Sequence, residues 1–475
     1  MSTETTYPST ESLRETFGLP TSGEHEVLDP ATGETVGWYS QPGQAELDAA
    51  VLTARKAQQE WAARPLAERR EILNRAADAL ESNAEALAVL LSREQGKPLN
   101  GPNARFEVGA CVAWLRATTS FELEPEVLFD DESGRAELHY RPLGVVGAIS
   151  PWNWPMMISI WQIAPSLRMG NAVILKPSGN TVLCVLAMVN VLNTVLPEGL
   201  LQILTADRTL GAAMTQHEGI DKIMFTGSIA AGKQIVKDAA GTLKRTTMEL
   251  GGNDAGIVLD DADPAAIAQD VFWGAFINTG QTCAALKRLY VPDSLYEQVC
   301  EELVKVAQSS PMGVGLSEEN VLGPLQNAKQ YKIVKDLVQA AKDSGARVLL
   351  GGEPDDDAVG HFYPTTLVAD IDNDNPLVTE EQFGPALPII RYTDLEQAIE
   401  WANGLDVGLG SSVWSSDKER AVQVASRIEA GTTWINKHGA IDPRMPFGGA
   451  KESGYGLEFG VEGLKHVAQP HVINV

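Results

Sequence analysis

A cysteine that follows small, polar, turn-forming residues carries the strongest chemical signal in this sequence. It is Cys283, and the five residues before it read NTGQT. Such a segment predicts a loop whose backbone amides can point at one spot, where they lower a thiol pKa and hold an oxyanion. A cysteine buried only for packing is the alternative, but it would more naturally lie within an apolar run. We therefore predict that Cys283 is a nucleophile.

A glutamate in an apolar setting is the best candidate for the base that a hydrolytic thiol reaction needs. Glu249 lies between Met248 and Leu250, just before the pair Gly251-Gly252. Apolar neighbours can keep water away from a carboxyl group and raise its pKa, which suits a residue that activates water. An exposed glutamate at the end of a strand explains the sequence equally well.

An asparagine between two indoles and two prolines is a candidate oxyanion donor. The segment Pro151–Pro155 reads PWNWP, and Asn153 is its centre. The prolines stiffen a loop after the predicted strand 145–149, so the side-chain amide can donate to a developing negative charge from a fixed position. The alternative is an ordinary turn with exposed aromatic side chains.

Two further segments have features of a nucleotide site. Lys176 ends an apolar strand, at the edge where doubly wound sheets bind ligands. Gly227 and Ser228 separate a strand from a helix whose amides suit a pyrophosphate. A solvated lysine and an ordinary turn explain these features about as well. Gly227, Gly232 and Lys233 have the spacing of a P-loop, but Gln234 stands where that motif needs Ser or Thr, so we exclude a P-loop. An ordinary Rossmann fingerprint is also absent, because no G-x-G-x-x-G follows a strand.

The histidines do not indicate a metal site. Among the seven histidines only His466 and His471 lie close enough in sequence to suggest a ligand pair, and no cysteine pair accompanies them. A structural zinc site needs four ligands, mostly cysteine and histidine. We therefore predict no metal.

The elements that would position these residues alternate between short apolar runs and helical runs. The predicted strands are 145–149, 172–175, 200–204, 222–225, 255–259 and 286–291. This alternation is typical of βαβ units, so we predict an α/β fold with two doubly wound parallel sheets. Ahead of the strands, residues 45–95 predict two helices separated near Arg64-Pro65, with a stop at Gly96.

The predicted boundaries divide the chain into a dinucleotide-binding domain, a catalytic domain and a small β arm. The dinucleotide-binding domain comprises residues 1–122 and 143–251, and the catalytic domain comprises residues 252–452. The arm comprises residues 123–142 and 453–475. The runs 136–141 and 470–475 are assigned to the arm because they lie outside both series of strands. Exposed strands of this kind can pair with another subunit, so we expect a homodimer or a homotetramer.

The composition excludes several classes of protein. The chain has 475 residues, 44% hydrophobic and 21% charged, so a packed core is feasible. A net charge of −26 argues against a nucleic-acid partner, which needs clustered lysine and arginine. Four cysteines are too few for a disulfide scaffold, and Cys111, Cys184 and Cys300 are predicted to be structural. Without a signal peptide or an apolar run of about 20 residues, we expect a cytoplasmic protein with no membrane partner.

Taken in order, these segments resemble the NAD(P)-dependent aldehyde dehydrogenase superfamily over nearly the whole chain. Two later segments add to the resemblance, EEQFGP at 380–385 and PFGGAKESG at 446–454. The resemblance implies that Cys283 is the nucleophile and Glu249 the general base, and that Asn153 and the Cys283 amide hold the oxyanion. It also implies NAD or NADP as the cofactor and a small aldehyde as the substrate.

The resemblance further implies which residues hold the cofactor and line the aldehyde tunnel. Lys176 would contact the adenosine ribose, Glu381 the nicotinamide ribose and Phe383 the nicotinamide ring. Gly227 and Ser228 would bind the pyrophosphate. The other implied cofactor contacts are Ser150, Trp152, Ser178, Gly211 and Leu250. The implied tunnel residues are Trp154, Trp161, Thr282, Ala284, Ile441 and Phe447. The tunnel is largely apolar and has no arginine, which favours an aromatic or medium-chain aliphatic aldehyde.

Two positions depart from the family pattern. After Ser178 many NAD-preferring members carry a glutamate that binds the ribose hydroxyls, whereas this chain has Gly179. A carboxylate there would repel a 2′-phosphate, so its absence leaves the choice between NAD and NADP open. Leu457 stands where many members have arginine, which we expect to affect subunit packing more than chemistry.

Two other functions stay open from the sequence. A CoA-acylating relative would use CoA in place of water, and the presence of Glu249 favours water. A binding or structural protein on the same fold would have no chemical reason to keep Asn153, Glu249 and Cys283 together. The sequence therefore favours the oxidation of an aldehyde to a carboxylic acid through a thiohemiacetal and a thioester on the cysteine.

Overall fold

A computed structural model describes residues 7–206 and 208–475 of the chain. Its α-helices are α1 (Thr10–Phe17), α2 (Gln44–Ala62), α3 (Leu66–Ser82), α4 (Ala84–Gln95), α5 (Ala104–Ser120), α6 (Pro155–Arg168), α7 (Val182–Asn193), α8 (Arg208–Gln216), α9 (Ile229–Ala239), α10 (Pro264–Phe276), α11 (Tyr296–Gln308), α12 (Ala328–Asp343), α13 (Pro376–Thr379), α14 (Leu395–Asn403), α15 (Lys418–Ala425) and α16 (Gly460–His466). Short 3-10 turns lie at Gly179–Thr181, Ala240–Thr242 and Ile277–Gly280. Over this part of the chain, none of the helices is both long and apolar enough to cross a membrane.

The β-strands of the same residues form two large sheets and three small ones. They are β1 (His25–Leu28), β2 (Thr35–Tyr39), β3 (Glu126–Asp131), β4 (Gly134–Pro142), β5 (Val145–Ile149), β6 (Ala172–Lys176), β7 (Leu201–Ile203), β8 (Lys222–Thr226), β9 (Arg245–Glu249), β10 (Asp254–Val258), β11 (Leu286–Pro292), β12 (Arg347–Leu350), β13 (Thr366–Ala369), β14 (Ala386–Tyr392), β15 (Val407–Gly408), β16 (Gly410–Trp414), β17 (Thr432–Ile435), β18 (Ala450–Lys451), β19 (Gly454–Tyr455) and β20 (Ala468–Asn474).

Six strands form the first large sheet, in the order β19-β9-β8-β5-β6-β7. Strands β5 to β9 run parallel and are joined in turn by helices α6 to α9, while β19 is antiparallel to β9. Strands β5, β6 and β8 are buried along their whole length, as parallel strands are when helices cover both faces. The strand order reverses at β5, so the carboxyl ends of β5 and β8 flank the crevice where such sheets bind ligands.

Seven strands form the second large sheet, in the order β12-β13-β14-β11-β10-β16-β17. All neighbouring strands in it are parallel except β12 with β13. The chain passes from the first sheet to the second between Glu249 and Asp254, around the glycine pair where the sequence predicts the border. The two mostly parallel sheets confirm the predicted α/β class.

A three-stranded antiparallel sheet lies apart from the two large sheets. Its order is β20-β4-β3, and every residue of β3 is exposed. Strand β4 contains the run 136–141 and β20 contains the run 470–475 except for its last residue, whereas β3 is not among the predicted strands. Gly454 and Tyr455, which the sequence analysis places in the arm, form β19 and pair with Glu249 and Met248 of the first large sheet.

The helical region ahead of the first large sheet differs from its prediction at one point. It forms α2, α3 and α4 in place of two helices, because the chain breaks at Asn83 as well as before Leu66. Asn83 has non-helical backbone angles, and its side-chain amide donates to the Ala79 carbonyl, which competes with helical pairing. The predicted stop at Gly96 is correct, since Gly96 ends α4 in a left-handed conformation with φ 92°.

Candidate active site

The three predicted catalytic residues come from three elements that meet between the two large sheets. Asn153 lies in the loop after β5, Glu249 ends β9, and Cys283 lies in the loop before β11. The Asn153 side-chain amide donates to the Gln281 carbonyl at 3.0 Å, which joins the first loop to the loop that carries the cysteine. The fold therefore brings the carboxyl edge of the first sheet to the amino edge of the second.

The loop before Cys283 is held in a strained conformation. Asn278 and Thr279 have φ values of 50° and 56°, a left-handed region that costs an L-residue about 1–2 kcal/mol. Asn278 Nδ2 donates to the Asn153 carbonyl at 2.8 Å, and Thr279 Oγ1 accepts from the Gly323 N–H at 2.9 Å. Strain of this kind persists only where the surrounding structure fixes it, so the loop presents the cysteine in a defined position.

Burial distinguishes Cys283 from the other three cysteines. Cys111, Cys184 and Cys300 are buried in α5, α7 and α11, which confirms that they pack in the interior. Cys283 is only partly buried. Desolvation by its surroundings raises the pKa of the Cys283 thiol to about 12, and the Lys287 ammonium opposes that shift. Cys283 is therefore the one cysteine of the four that is not fully enclosed, and burial together with charged neighbours sets the acidity of its thiol.

Asn153 is buried at the centre of several contacts, so the alternative of an exposed turn is wrong. Its exposed fraction is 3%. Its backbone carbonyl accepts from Lys97 Nζ and from Asn278 Nδ2, each at 2.8 Å. Lys97 is itself buried and pairs with Glu107 at 2.6 Å. These contacts fix the backbone of Asn153 and so hold its amide beside the cysteine loop, as an oxyanion donor requires.

Glu249 is buried as well, which excludes the alternative of a surface glutamate. It is 4% exposed, and neither carboxyl oxygen has a hydrogen-bond partner among residues 7–206 and 208–475. Burial raises the pKa of Glu249 well above its usual value, and the nearby Glu458 raises it further. A carboxyl group with unused oxygens and a raised pKa is suited to take a proton from water.

Glu458 is a second buried carboxyl group near the site, and the sequence analysis assigns it no role. Burial raises the pKa of Glu458 to about 8, while Lys222 lowers it. The Glu458 backbone pairs with that of Phe447, one of the predicted tunnel residues. Its signal in the sequence is a glutamate between Leu457 and Phe459, the same apolar setting that indicates Glu249.

On the first-sheet side of the crevice, the predicted cofactor residues surround two strand ends. Lys176 ends β6, and a Cβ at Gly211 would lie 3.4 Å from the Lys176 Cε, so α8 packs along the lysine stem. Ser228 caps the amino end of α9. Gly227 leaves no room for a side chain, because a Cβ there would lie only 2.5 Å from the Phe225 ring. A helix amino end preceded by glycine leaves backbone N–H groups available to phosphate oxygens.

On the second-sheet side, Glu381 and Phe383 face the crevice. The Glu381 carboxylate accepts from the Gly252 N–H at 3.2 Å, and a Cβ at Gly251 would lie 2.5 Å from Glu381 Oε2. The glycine pair therefore lets the carboxylate approach the backbone. Phe383 packs edge-on against Trp152, with ring centroids 5.4 Å apart, so the loop after β5 of the first sheet meets the segment that leads into β14 of the second.

The remaining predicted cofactor residues lie next to these. Ser150 follows β5 and is buried, Leu250 follows β9, and Ser178 caps the 3-10 turn that begins at Gly179. A side chain at Gly179 would crowd Tyr39, because its Cβ would lie 2.7 Å from the Tyr39 hydroxyl oxygen. A strand-end lysine, a glycine-preceded helix end and a half-buried carboxylate on opposite sides of one crevice fit the ribose and phosphate groups of a dinucleotide.

The predicted tunnel residues share one apolar cluster with the cysteine. Trp154, Trp161, Ala284 and Phe447 are buried in that cluster, and Cys283 and Ile441 pack against it. The sixth predicted residue is Thr282, whose Oγ1 accepts a hydrogen bond from Trp154 Nε1 at 2.9 Å. Five of the six residues therefore belong to or pack against the apolar interior that Cys283 also contacts, and the sixth, Thr282, is hydrogen-bonded to Trp154.

Phe459 and Trp114, which pack against the predicted tunnel residues, are not among the residues predicted from the sequence. Phe459 packs against Trp161 and Phe447, with ring centroids 4.7 Å and 5.8 Å away. Trp114 of α5 packs against Trp161 and Phe459 at 5.7 Å and 5.4 Å. Trp114 gives no signal in the sequence, because only the packing of α5 against α6 brings it to the site.

Comparisons with known proteins agree with this arrangement. A family model described as the aldehyde dehydrogenase family matches residues 19–473. Phenylacetaldehyde dehydrogenase of Pseudomonas fluorescens is 36% identical over 453 residues, which cover 93% of this chain and 90% of that protein. Geranial dehydrogenase of Castellaniella defragrans is 36% identical over 444 residues, 92% of each chain.

A solved structure shows the same fold with a cofactor. The NAD⁺ complex of an aldehyde dehydrogenase from Bacillus cereus superposes with a TM-score of 0.90 at 33% identity, covering 95% of this chain and 93% of that one. These matches span nearly the whole chain, from the helices ahead of the first large sheet to the last strand. The chain therefore belongs to the aldehyde dehydrogenase family and oxidises aldehydes with NAD(P)⁺.

Proposed function

We propose that this chain oxidises an aromatic or medium-chain aliphatic aldehyde to a carboxylic acid, with Cys283 as the nucleophile and water as the final acyl acceptor. The observation that carries the proposal is the convergence of Cys283, Asn153 and the buried Glu249 beside one aromatic cluster. Family membership supplies the class of reaction, and the geometry supports the role of each residue.

In the first half of the proposed reaction, the Cys283 thiolate attacks the carbonyl carbon and the π electrons move to oxygen. The Asn153 side-chain amide and the Cys283 N–H donate hydrogen bonds to that oxyanion. A nicotinamide held by Glu381 and Phe383 would supply the acceptor for the hydride of this carbon. The carbonyl re-forms, and the acyl group stays on the sulfur as a thioester.

In the second half, Glu249 takes a proton from water, and the resulting hydroxide attacks the thioester carbon. The C–S bond breaks, the thiolate returns to Cys283 and the carboxylic acid leaves. The burial and unused oxygens of Glu249 support this role. A CoA-acylating enzyme has no need for such a base, so hydrolysis is the proposed outcome.

For the cofactor, we propose contacts on both sides of the crevice. Lys176 and the amino end of α9 at Ser228 would hold the adenosine ribose and the phosphates, and Glu381 would hold the nicotinamide ribose. Gly179 brings no carboxylate that would repel a 2′-phosphate. The proposal therefore includes both NAD and NADP.

For the substrate, the aromatic cluster supports an apolar aldehyde. Trp161, Phe447 and Phe459 pack together in the cluster that Cys283 also contacts, and apolar surface of this kind favours apolar ligands. Two relatives are named for phenylacetaldehyde and geranial. We propose in addition that the chain assembles as a homo-oligomer through the arm and acts in the cytoplasm.

The substrate is tested by comparing kcat/KM for phenylacetaldehyde, hexanal and succinic semialdehyde, with NAD⁺ and with NADP⁺, by absorbance of the reduced cofactor. We expect the first two aldehydes to exceed the third by about tenfold or more, because an apolar pocket leaves a carboxylate without a partner. A clear preference for succinic semialdehyde would contradict the assignment of the tunnel. Cys283→Ala should remove activity with every aldehyde.

The role of Glu249 is tested separately with Glu249→Gln. The variant should still release one burst of reduced cofactor per site, because the base acts after hydride transfer. Its steady-state turnover should fall by about 10²–10⁴-fold, the usual contribution of a general base. Stopped-flow absorbance measures both phases. A strict requirement for CoA in the unchanged protein would instead favour an acylating enzyme.

A further inference from the structure

Lys287 is a charged side chain without an assigned role that lies against the loop of the nucleophile. It is the second residue of β11 and only 2% exposed. Its Nζ donates to the backbone carbonyls of Cys283 at 2.5 Å and Thr282 at 2.9 Å. Burying an ammonium costs several kcal/mol unless its charge is paired and its donors are used. These bonds therefore tie the lysine firmly to the loop.

The same ammonium also contacts the cofactor side of the crevice. Lys287 Nζ lies 3.3 Å from Glu381 Oε1 and 5.9 Å from the centre of the Phe383 ring. The Lys287 carbonyl accepts from Gln382 Nε2 at 3.1 Å. One residue thus joins the nucleophile loop to the segment that we assign to the nicotinamide ribose and ring.

Lys287 is a cation among carboxyl groups that act on the Cys283 thiol. Glu381, Asp254 and Glu249 add to the effect of burial and raise the pKa of the thiol, whereas Lys287 lowers it. Lys287 also lowers the pKa of Glu381. A neutral side chain at position 287 would leave these carboxyl groups uncompensated beside the sulfur, and that field disfavours the thiolate.

We propose that Lys287 is a positioning residue that holds the Cys283 loop, favours the thiolate and links the nucleophile to Glu381. The proposal rests on the function proposed above, in which Cys283 attacks the aldehyde and Glu381 binds the cofactor. Lys287 acts through these two residues and is not assigned a contact with the aldehyde.

The test is the rate at which iodoacetamide alkylates Cys283 as a function of pH, in the full-length protein without cofactor. We expect Lys287→Met to slow alkylation about tenfold at each pH from about 7 to 9, because the fraction of thiolate at a fixed pH falls tenfold when the pKa of the thiol rises by one unit. Lys287→Arg keeps the charge and should stay within about threefold of the unchanged protein. Mass spectrometry of the labelled peptide identifies the cysteine.

The link to Glu381 is measured by titrating the same proteins with NAD⁺ and following tryptophan fluorescence. We expect Lys287→Met to raise the Kd for NAD⁺ about threefold or more, because Glu381 loses the partner that keeps it ionised and oriented. An unchanged Kd would overturn the link between the two residues.

A matched control is Lys342→Met, since Lys342 also donates to a backbone carbonyl, that of Gly352, and lies on α12 outside the site. It should leave the alkylation profile and the Kd unchanged. If circular dichroism shows that Lys287→Met does not fold, Lys287→Gln replaces it, because glutamine keeps a donor without the charge.

The outcomes separate this proposal from the proposed function. A normal alkylation profile in Lys287→Met, or equal slowing by Arg and Met at that position, would overturn the charge-based role of Lys287 and leave the proposed function intact. Fast labelling that persists in Cys283→Ala would overturn the proposed function, and the role of Lys287 with it.

Discussion

Glu249 and Glu458 are two buried carboxyl groups whose ionisation is linked. Glu458 raises the pKa of Glu249, and burial raises the pKa of Glu458 itself to about 8, against the effect of Lys222. Two neighbouring carboxylates in a buried site do not both ionise readily. The protonation of the proposed base therefore depends on a second carboxyl group, near the end of the chain sequence and far from Glu249 in numbering.

We expect Glu458→Gln to flatten the dependence of stability on pH. The folded protein holds a proton on Glu458 up to about pH 8, whereas the ordinary value for glutamate is 4.5. The contribution of this group is complete below the unfolded pKa and is lost as the pH rises through the folded pKa. Between about pH 5 and pH 8 the Tm of the variant should consequently fall less than that of the unchanged protein.

Differential scanning calorimetry across that pH range checks the prediction for Glu458. Glu71→Gln on α3 is the control, since Glu71 is exposed to solvent. Parallel Tm curves for Glu458→Gln and the unchanged protein would show that the Glu458 carboxyl does not hold the extra proton.

At the level of the elements, a buried ion pair fixes the start of α6 and the loop before it. Lys97 and Glu107 have fully buried side chains and pair at 2.6 Å. Glu107 also accepts from the N–H groups of Met156 and Met157 at 2.9 Å and 3.1 Å, in the first turn of α6. A carboxylate there satisfies free helix donors and complements the positive end of the helix dipole. The pair therefore holds the segment that carries Asn153.

Lys97→Met should lower the free energy of unfolding by about 3–5 kcal/mol, because it leaves a buried carboxylate without its cation. Adding Glu107→Gln should recover part of that loss, since glutamine still accepts from the two N–H groups but carries no charge. Urea unfolding followed by tryptophan fluorescence measures both variants. A double variant less stable than Lys97→Met alone would contradict this account.

Secondary structure was predictable where both faces of an element are buried. The apolar run of β5 is a strand over the predicted residues 145–149, because continuous burial on both faces leaves a continuous apolar signal. Strand β3 was not predictable, since its residues Glu126–Asp131 are all exposed and show no alternation. Its pairing with β4, and not its own sequence, makes it a strand.

For the whole molecule, the arm exposes apolar side chains on both of its edge strands, β3 and β20. Val127, Leu128 and Phe129 of β3 are 48%, 47% and 39% exposed, and Val472 and Ile473 of β20 are 53% and 40% exposed. An exposed edge strand with apolar side chains is a surface on which another chain can pair. This feature supports the proposed homo-oligomer.

The double change Leu128→Lys with Phe129→Glu should reduce the molar mass in solution by a whole-number factor. Charges at these positions would be buried without partners in an interface, whereas they cost little on a free surface. Size-exclusion chromatography with light scattering measures the mass. Leu243→Lys, at a leucine 91% exposed outside the arm, is the control and should change nothing. A monomeric unchanged protein, or an unaffected mass, would contradict the role of the arm.

By itself the sequence determined the class of the fold, the family and the three residues that we propose for the chemistry. Alternating strands and helices leave a periodic apolar pattern, and Asn153, Glu249 and Cys283 each lie in a short segment of distinctive local composition. These signals need no knowledge of distant contacts, because each is complete within a few neighbouring residues.

Only the tertiary structure decided which charged residues lie inside. Lys97, Lys287 and Glu458 are 1%, 2% and 2% exposed, although lysine and glutamate are normally found on the surface. Their partners are far apart in the sequence: Lys97 contacts Asn153, and Lys287 contacts Glu381. Burial of a charge depends on partners that the fold alone brings together, so no local pattern could have revealed the two lysines, and the apolar neighbours of Glu458 are only a partial signal.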